Sequence, residues 1–268
     1  MAIPMPEATL LGVLQGITEV LPVSGDGHLA LARLLFGGHG DPAAEAFLNL
    51  GTLSATLFVL RKRVRSALIE GIRGILRPSL LKETPGGRDA VVLALATIPT
   101  AIVGLSLKTL SPDRSGSPTL LGVCFLVSAL AVGSTYWAPK GERHTPRHLG
   151  ALLAGLAQGI AVLPGLSRSG ITLATLLWLG IASERAFELS FLLSLPALTV
   201  GALLGARVAL YRDDEGAILL YAAALVCVVG VGALEVLRGA LLRRILWVFA
   251  VYLVPLGVAT LAWGYARP

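Results

Sequence analysis

Apolar runs recur along the whole chain. Six of them, 47–63, 90–110, 119–137, 187–206, 217–237 and 245–264, are apolar enough to cross a bilayer as helices, which takes about 20 such residues apiece. Two more, 8–37 and 149–180, are apolar at both ends but broken in the middle by Pro, Gly, Ser and charged residues. The strand-length alternation of a membrane barrel is absent. The pattern predicts an all-α polytopic membrane protein.

The two interruptions are versions of one another. Gln15-Gly16-Ile17 and Ser24-x-x-Gly27 return as Gln158-Gly159-Ile160 and Ser167-x-x-Gly170 at a constant offset of 143, about half the chain, while the prolines Pro22 and Pro164 miss by one. The sequence therefore reads as a duplication. Residues 1–268 form a single integral membrane domain, with repeat one at about 8–137 and repeat two at about 149–264. Paired interruptions at matching places in two halves point to a binding site near the middle of the membrane.

Composition agrees with this reading. Mean hydropathy is +0.78 and charged residues are 14%, where a soluble domain carries about 25%. The start of the chain has no basic stretch of the kind a cleaved signal peptide carries. Cys124 and Cys227 lie in apolar runs without metal-ligand spacing and read as core residues. The net charge of +6 does not signal nucleic acid, because no interleaved basic and aromatic surface pattern goes with it. It sorts instead into loops. The stretches 61–88, 138–148 and 238–244 carry most of the Arg and Lys and belong on the cytoplasmic side. The stretches 38–46, 111–118 and 207–216, the last with Asp213, Asp214 and Glu215, then fall outside. Consistency requires each broken segment to return to the side it entered. Each half becomes a re-entrant helical hairpin plus three transmembrane helices, and three being odd, the halves form an inverted repeat with both termini outside. Non-helical backbone at that depth must be buried in protein or line a wet cavity.

The hairpin tips hold the candidate chemistry. Tip one offers Gln15, Glu19, Ser24, Asp26, Gly27 and His28, with Gln15 and Glu19 on one helix face. Ionisable groups at membrane depth are functional candidates by default; a packing acid satisfied by a neighbour is the other reading of Glu19, and a structural role that of His28. His39, His144 and His148 lie in polar stretches and read as solvated. Tip two offers Ser167, Arg168, Ser169 and Gly170 at the start of a helix. First-turn N–H groups, serine hydroxyls and a guanidinium make an anion site suited to phosphate, although Arg168 could instead tie the halves together through Glu19 or Asp26. Unit charges about 4 Å apart attract by roughly 4 kcal/mol at an effective dielectric near 20, so one arginine alone would not hold a diphosphate. The carboxylates Glu19 and Asp26 would repel the anion unless a divalent cation, Mg²⁺ or Ca²⁺, bridged them. A phosphate site at membrane depth suggests a lipid phosphate ester.

These motifs resemble a known family. The run from Gln15 through Glu19, Pro22-Val23-Ser24 and Gly27-His28 is similar to the Glu/Gln-x-x-x-Glu and Pro-Val-Ser-Ser-x-Gly-His signatures of undecaprenyl-diphosphate phosphatases of the UppP/BacA type, and Pro164-Gly165-Leu166-Ser167-Arg168-Ser169-Gly170 to their Pro-Gly-x-Ser-Arg-Ser-Gly motif. The resemblance implies a hydrolase that recycles the cell-wall carrier lipid in the bacterial inner membrane. It would release inorganic phosphate from a polyprenyl diphosphate, use a divalent cation and have its site facing the outer side. Glu19 would be the essential acid, His28 a proton-transfer residue and Arg168 the diphosphate clamp. Gln15, Asp26, Gly27, Ser167, Ser169 and Gly170 would bind substrate, with Glu19 and Asp26 on the metal. The motif's second serine, a favoured nucleophile or phosphate ligand in the family, is Gly25 here. Ser24 could take over, water could attack directly, or hydrolysis could be impaired. A flippase or transporter of lipid phosphates is the reading from another class. The expected partners are the lipid substrate, membrane lipids and, as an open option, a second copy in a homodimer, with no nucleic acid.

Overall fold

A short helix, α1 (Met5–Thr18), opens the chain behind prolines at its start, where the missing N–H costs nothing. It gives way to a tight turn around Pro22, after which α2 (Gly25–Phe36) folds back. The computed structural model describes residues 4–36, 42–110, 117–209 and 216–266; His39 and the acidic Asp213–Glu215 stretch lie outside the described residues. The chain continues through α3 (Pro42–Leu76), a single turn α4 (Leu80–Glu83), α5 (Pro85–Leu110) and α6 (Pro118–Gly133), which a 3₁₀ turn (Ser134–Trp137) ends. After an extended linker come α7 (His148–Ile160), α8 (Arg168–Trp178), α9 (Ser183–Ala209), α10 (Gly216–Leu242) and α11 (Val248–Ala266). Among the described residues there is no strand; one isolated bridge pairs Arg143 with Ile181.

This is an all-α polytopic membrane protein. Five helices, over Pro85–Leu110, Pro118–Trp137, Ser183–Gly205, Gly216–Leu242 and Val248–Ala266, are long and apolar enough to cross a membrane, and the expected span 47–63 lies within the 35-residue α3. The four helices of the broken segments are shorter. The longest, at 14 residues, covers about 21 Å of a hydrocarbon core about 30 Å thick. Each pair is a hairpin, α1 against α2 and α7 against α8. The order of elements repeats at about the sequence offset: hairpin, then three long helices, twice.

The basic stretch 61–88, expected as a loop, is mostly helix. Its residues are good helix formers, and nothing breaks α3 before Pro78. Glu70 on this extension accepts N–H bonds from Gly86 and Gly87 (2.9 and 3.2 Å) and so caps α5.

Packing runs mainly between the halves. α3 lies along α9 and α10, α1 along α10, α5 along α7, and α6 along α11. Glycines set several of these approaches. A Cβ on Gly155 would sit 2.2 Å from the Ala96 carbonyl oxygen, one on Gly51 2.3 Å from that of Ala223, and one on Gly122 2.6 Å from the Leu261 nitrogen. Close backbone approach at small residues is the usual basis of helix association in lipid. An ion-pair cluster joins α3, α5 and α9. Arg185 donates to Asp89 and to Glu188 at 2.5 Å each, and Arg63 donates to Glu188 at 2.9 Å.

Candidate functional site

The two hairpin tips meet inside the bundle, and the repeated serines explain their matching form. Ser24 and Ser167 each stand immediately before a helix and accept the N–H three residues on, from Gly27 at 3.2 Å and Gly170 at 3.1 Å. Capping of this kind satisfies one orphan donor of the first turn, which is why Ser-x-x-Gly occurs twice. Ser24 adopts a left-handed conformation (φ 73), at a cost of about 1–2 kcal/mol for a residue with a Cβ. The glycines let the tips touch. A Cβ on Gly27 would lie 2.7 Å from Gly165 Cα. Gly165 is itself at φ 92, and its carbonyl accepts from Ser128 at 3.0 Å. The Ser128 hydroxyl in turn accepts from the Ser167 N–H at 2.8 Å.

Across this contact the Arg168 guanidinium donates to the Glu19 carboxylate, and the Ser169 hydroxyl donates to the Leu21 carbonyl at 3.2 Å. Glu19 is nearly buried, its side chain 7% exposed, while Arg168 retains 24%. The pair stands at the head of a cavity of about 440 Å³ lined also by Ser24, Gly25, Asp26 and Ser167. From there the walls are one face of α5 (Thr97, Thr100, Ala101, Gly104, Leu105, Lys108) and one face of α9 (Leu193, Pro196, Ala197, Val200, Gly201, Leu204). The cavity is therefore charged where the tips meet and mostly apolar along its walls, where Thr97, Thr100 and Lys108 are the polar residues of the α5 face. Its lining contains two carboxylates, Glu19 and Asp26, and two cations, Arg168 and Lys108. Behind the ion pair lies a chamber of about 10 Å³, bounded by Thr52, Ser169, Ser190 and Ser194. The Thr52 hydroxyl is buried without a partner.

Of the residues singled out in the sequence, Glu19, Ser24, Asp26, Ser167 and Arg168 face the cavity, and Ser169 faces the small chamber. Gly27 and Gly170 act through their backbones and through the room they leave. Gln15 and His28 are buried but line neither space. The repeat partner of Gln15 is placed differently. Gln158 lines the cavity and donates to the Leu193 carbonyl at 2.9 Å. Position 25 is tight: a Cβ there would lie 2.3 Å from a Glu19 carboxylate oxygen and 2.8 Å from Glu19 Cα. The hairpin closes over the space a serine side chain would need.

Sequence reasoning did not find Tyr252, Ser128, Thr100, Lys108, Thr52, Ser190 or Ser194. Only the offset of 143 could have pointed to Gln158.

The family model described as bacitracin resistance protein BacA matches residues 8–259. Among curated relatives, an undecaprenyl-diphosphatase of Korarchaeum cryptofilum is 35% identical over 96% of this chain and 98% of its own length. Relatives of the same name from Syntrophotalea carbinolica (36% identical; 91% of this chain, 93% of the relative) and Desulfosudis oleivorans (37%; 95% and 97%) are similar.

Proposed function

The chain belongs to the BacA family of bacitracin resistance proteins, and from that premise we propose that it hydrolyses undecaprenyl diphosphate to undecaprenyl phosphate and inorganic phosphate. The observation that carries the reading is the cavity headed by the Glu19–Arg168 pair, polar at the tips and apolar between α5 and α9. A diphosphate headgroup suits the tips and a prenyl chain suits the walls. Near full-length similarity to proteins named undecaprenyl-diphosphatase supports the same substrate.

On this reading Arg168, with the capped first turns of α2 and α8, holds the diphosphate oxygens and stabilises charge developing in the transition state. Binding displaces part of the Glu19–Arg168 contact, which frees the Glu19 carboxylate to take a proton from the attacking oxygen. The phosphorus–oxygen bond to the lipid phosphate breaks as the new one forms. With two carboxylates and two cations in the lining, the cavity's own charges balance and a diphosphate adds uncompensated negative charge. That fits a divalent cation held by Glu19, Asp26 and the substrate's own oxygens, the donor set Mg²⁺ favours. Such a cation would supply charge compensation at the phosphate oxygens.

We place the protein in the bacterial inner membrane with the tips open to the outer face, as the family resemblance implies, and take the halves as inverted on the strength of the basic stretches. The test is phosphate release by the purified chain from undecaprenyl or farnesyl diphosphate with Mg²⁺, with Ca²⁺ and with EDTA. Cation-dependent release is expected. Lipid binding without release would overturn hydrolysis in favour of lipid-phosphate transport. Sedimentation of the same sample in detergent tests the homodimer.

A further inference from the structure

We infer that His28 acts as a positioning residue, set in place by Tyr252, and carries no proton of the reaction; this rests on the phosphatase reading above. Both imidazole nitrogens are already engaged. Nδ1 lies 2.8 Å from the Ser24 carbonyl oxygen and Nε2 lies 2.7 Å from the Tyr252 hydroxyl. A carbonyl can only accept, so Nδ1 carries the hydrogen, and Nε2 of the neutral ring accepts from the Tyr252 O–H. Further ring contacts hold it. Tyr252 lies nearly parallel to it and offset (12°, centroids 5.8 Å apart), and Phe125 meets it edge-on at 5.5 Å. Neither His28 nor Tyr252 lines the cavity that holds Glu19, Asp26 and Arg168.

What the imidazole grips is the strained point of the first tip. Ser24 is the left-handed residue, and its carbonyl accepts both the His28 backbone N–H at 3.1 Å and His28 Nδ1–H. That turn sets the direction of Gly25 and Asp26, which line the cavity beside Glu19. The Ser24 carbonyl fixes the tautomer whose hydrogen is on Nδ1, and Tyr252, on α11, holds the ring in place at Nε2, so that the imidazole keeps its grip on the turn.

The test uses the full chain in detergent with farnesyl diphosphate. Asparagine places an N–H near the Nδ1 position, and glutamine places one near Nε2. If His28 only positions Ser24, His28→Asn loses about tenfold or less, the scale of one altered hydrogen bond. His28→Gln and His28→Ala lose roughly hundredfold, the scale of a misplaced tip. Tyr252→Phe lowers turnover by up to about tenfold in the parent and has no further effect in the His28→Asn background, because its partner nitrogen is gone. A His28→Asn protein as inactive as His28→Ala, with an unchanged melting temperature, would mean that the imidazole moves the proton. An equal Tyr252→Phe loss in both backgrounds would mean that the hydroxyl acts elsewhere. Nitrogen NMR of ¹⁵N-histidine-labelled protein reads the tautomer without turnover. A His28 signal protonated at Nδ1, which changes on Tyr252→Phe, is expected, and protonation at Nε2 would overturn the inference. A parent protein that releases no phosphate but gives the expected spectrum would fail the phosphatase reading alone.

Discussion

Glu19 and Arg168 are 149 residues apart in the chain and bond to one another at the head of the cavity. Each keeps the other tolerable at membrane depth, and each is available to substrate. Arg168→Lys should therefore be costly although it preserves charge, because an ammonium cannot present the planar fork that fits phosphate oxygens. A loss of roughly hundredfold in kcat/KM, at unchanged melting temperature, is expected from phosphate-release kinetics. Gly25 gives a less intuitive prediction. Adding back the hydroxyl that the motif carries and this chain lacks should harm this protein, because the Cβ alone would press on the Glu19 carboxylate and backbone. Gly25→Ser is expected to turn over more slowly than the parent, and a faster variant would show that the tip can open to admit the side chain.

At the scale of elements, the glycine contacts make the spans specific. Gly122 on α6 and Gly257 on α11 face one another, and a Cβ on Gly122 would lie 2.9 Å from the Gly257 carbonyl oxygen. Gly122→Val should force the two helices apart at an overpacking cost of about 1–3 kcal/mol, read as a lower melting temperature in detergent. The cap on α5 has a pH signature. Hydrogen bonds from the Thr84 and Ser66 hydroxyls, and then from the Gly87 and Gly86 N–H groups, hold the Glu70 carboxyl below its ordinary value of 4.5. A depressed carboxyl contributes stability that is fully present above the unfolded value and is lost as pH falls through the folded one. Stability should therefore decline on acidification below about pH 4.5, and Glu70→Gln should remove part of that dependence in thermal melts.

These elements were unequally legible in the sequence. The spans stood out because lipid demands long apolar runs, and the tips stood out because Pro, Gly and Ser interrupted such runs twice at one offset. The reach of α3 beyond its span was hidden because charge, which marks a loop, is also compatible with a solvated helix. Thr52 and Ser190 were hidden for another reason. Single hydroxyls in apolar helices commonly bond back to their own turn, as Thr97 does to Leu93 and Thr175 to Ile171. A hydroxyl aimed at another helix looks the same in one dimension.

On the scale of the whole molecule, α5 carries charge at two levels. Asp89, near its start, belongs to the Arg63–Arg185–Glu188 cluster, and Lys108, near its end, lines the cavity; 19 residues of helix put them about 28 Å apart. The lower cluster closes the bundle where α3, α5 and α9 come together. Its Asp89 is 1% exposed and Arg185 7%, so Arg185→Ala takes from a buried carboxylate its hydrogen-bonded partner and leaves it only Arg63 at 4.0 Å. The expected cost is about 3–5 kcal/mol, to be measured by denaturant titration with phosphate release monitored in parallel. The same packing gives the linker at 138–147 a modest job. Because α3 grips α9 and α10, α1 grips α10, α5 grips α7 and α6 grips α11, the two halves clasp each other far more than the peptide between them does. The linker stays docked, through the Arg143–Ile181 bridge and its carbonyls at Ala138 and His144, but its covalent continuity is needed only while the chain is being threaded. A protease site inserted there and cut after folding should leave two fragments that travel together in detergent and still turn over substrate.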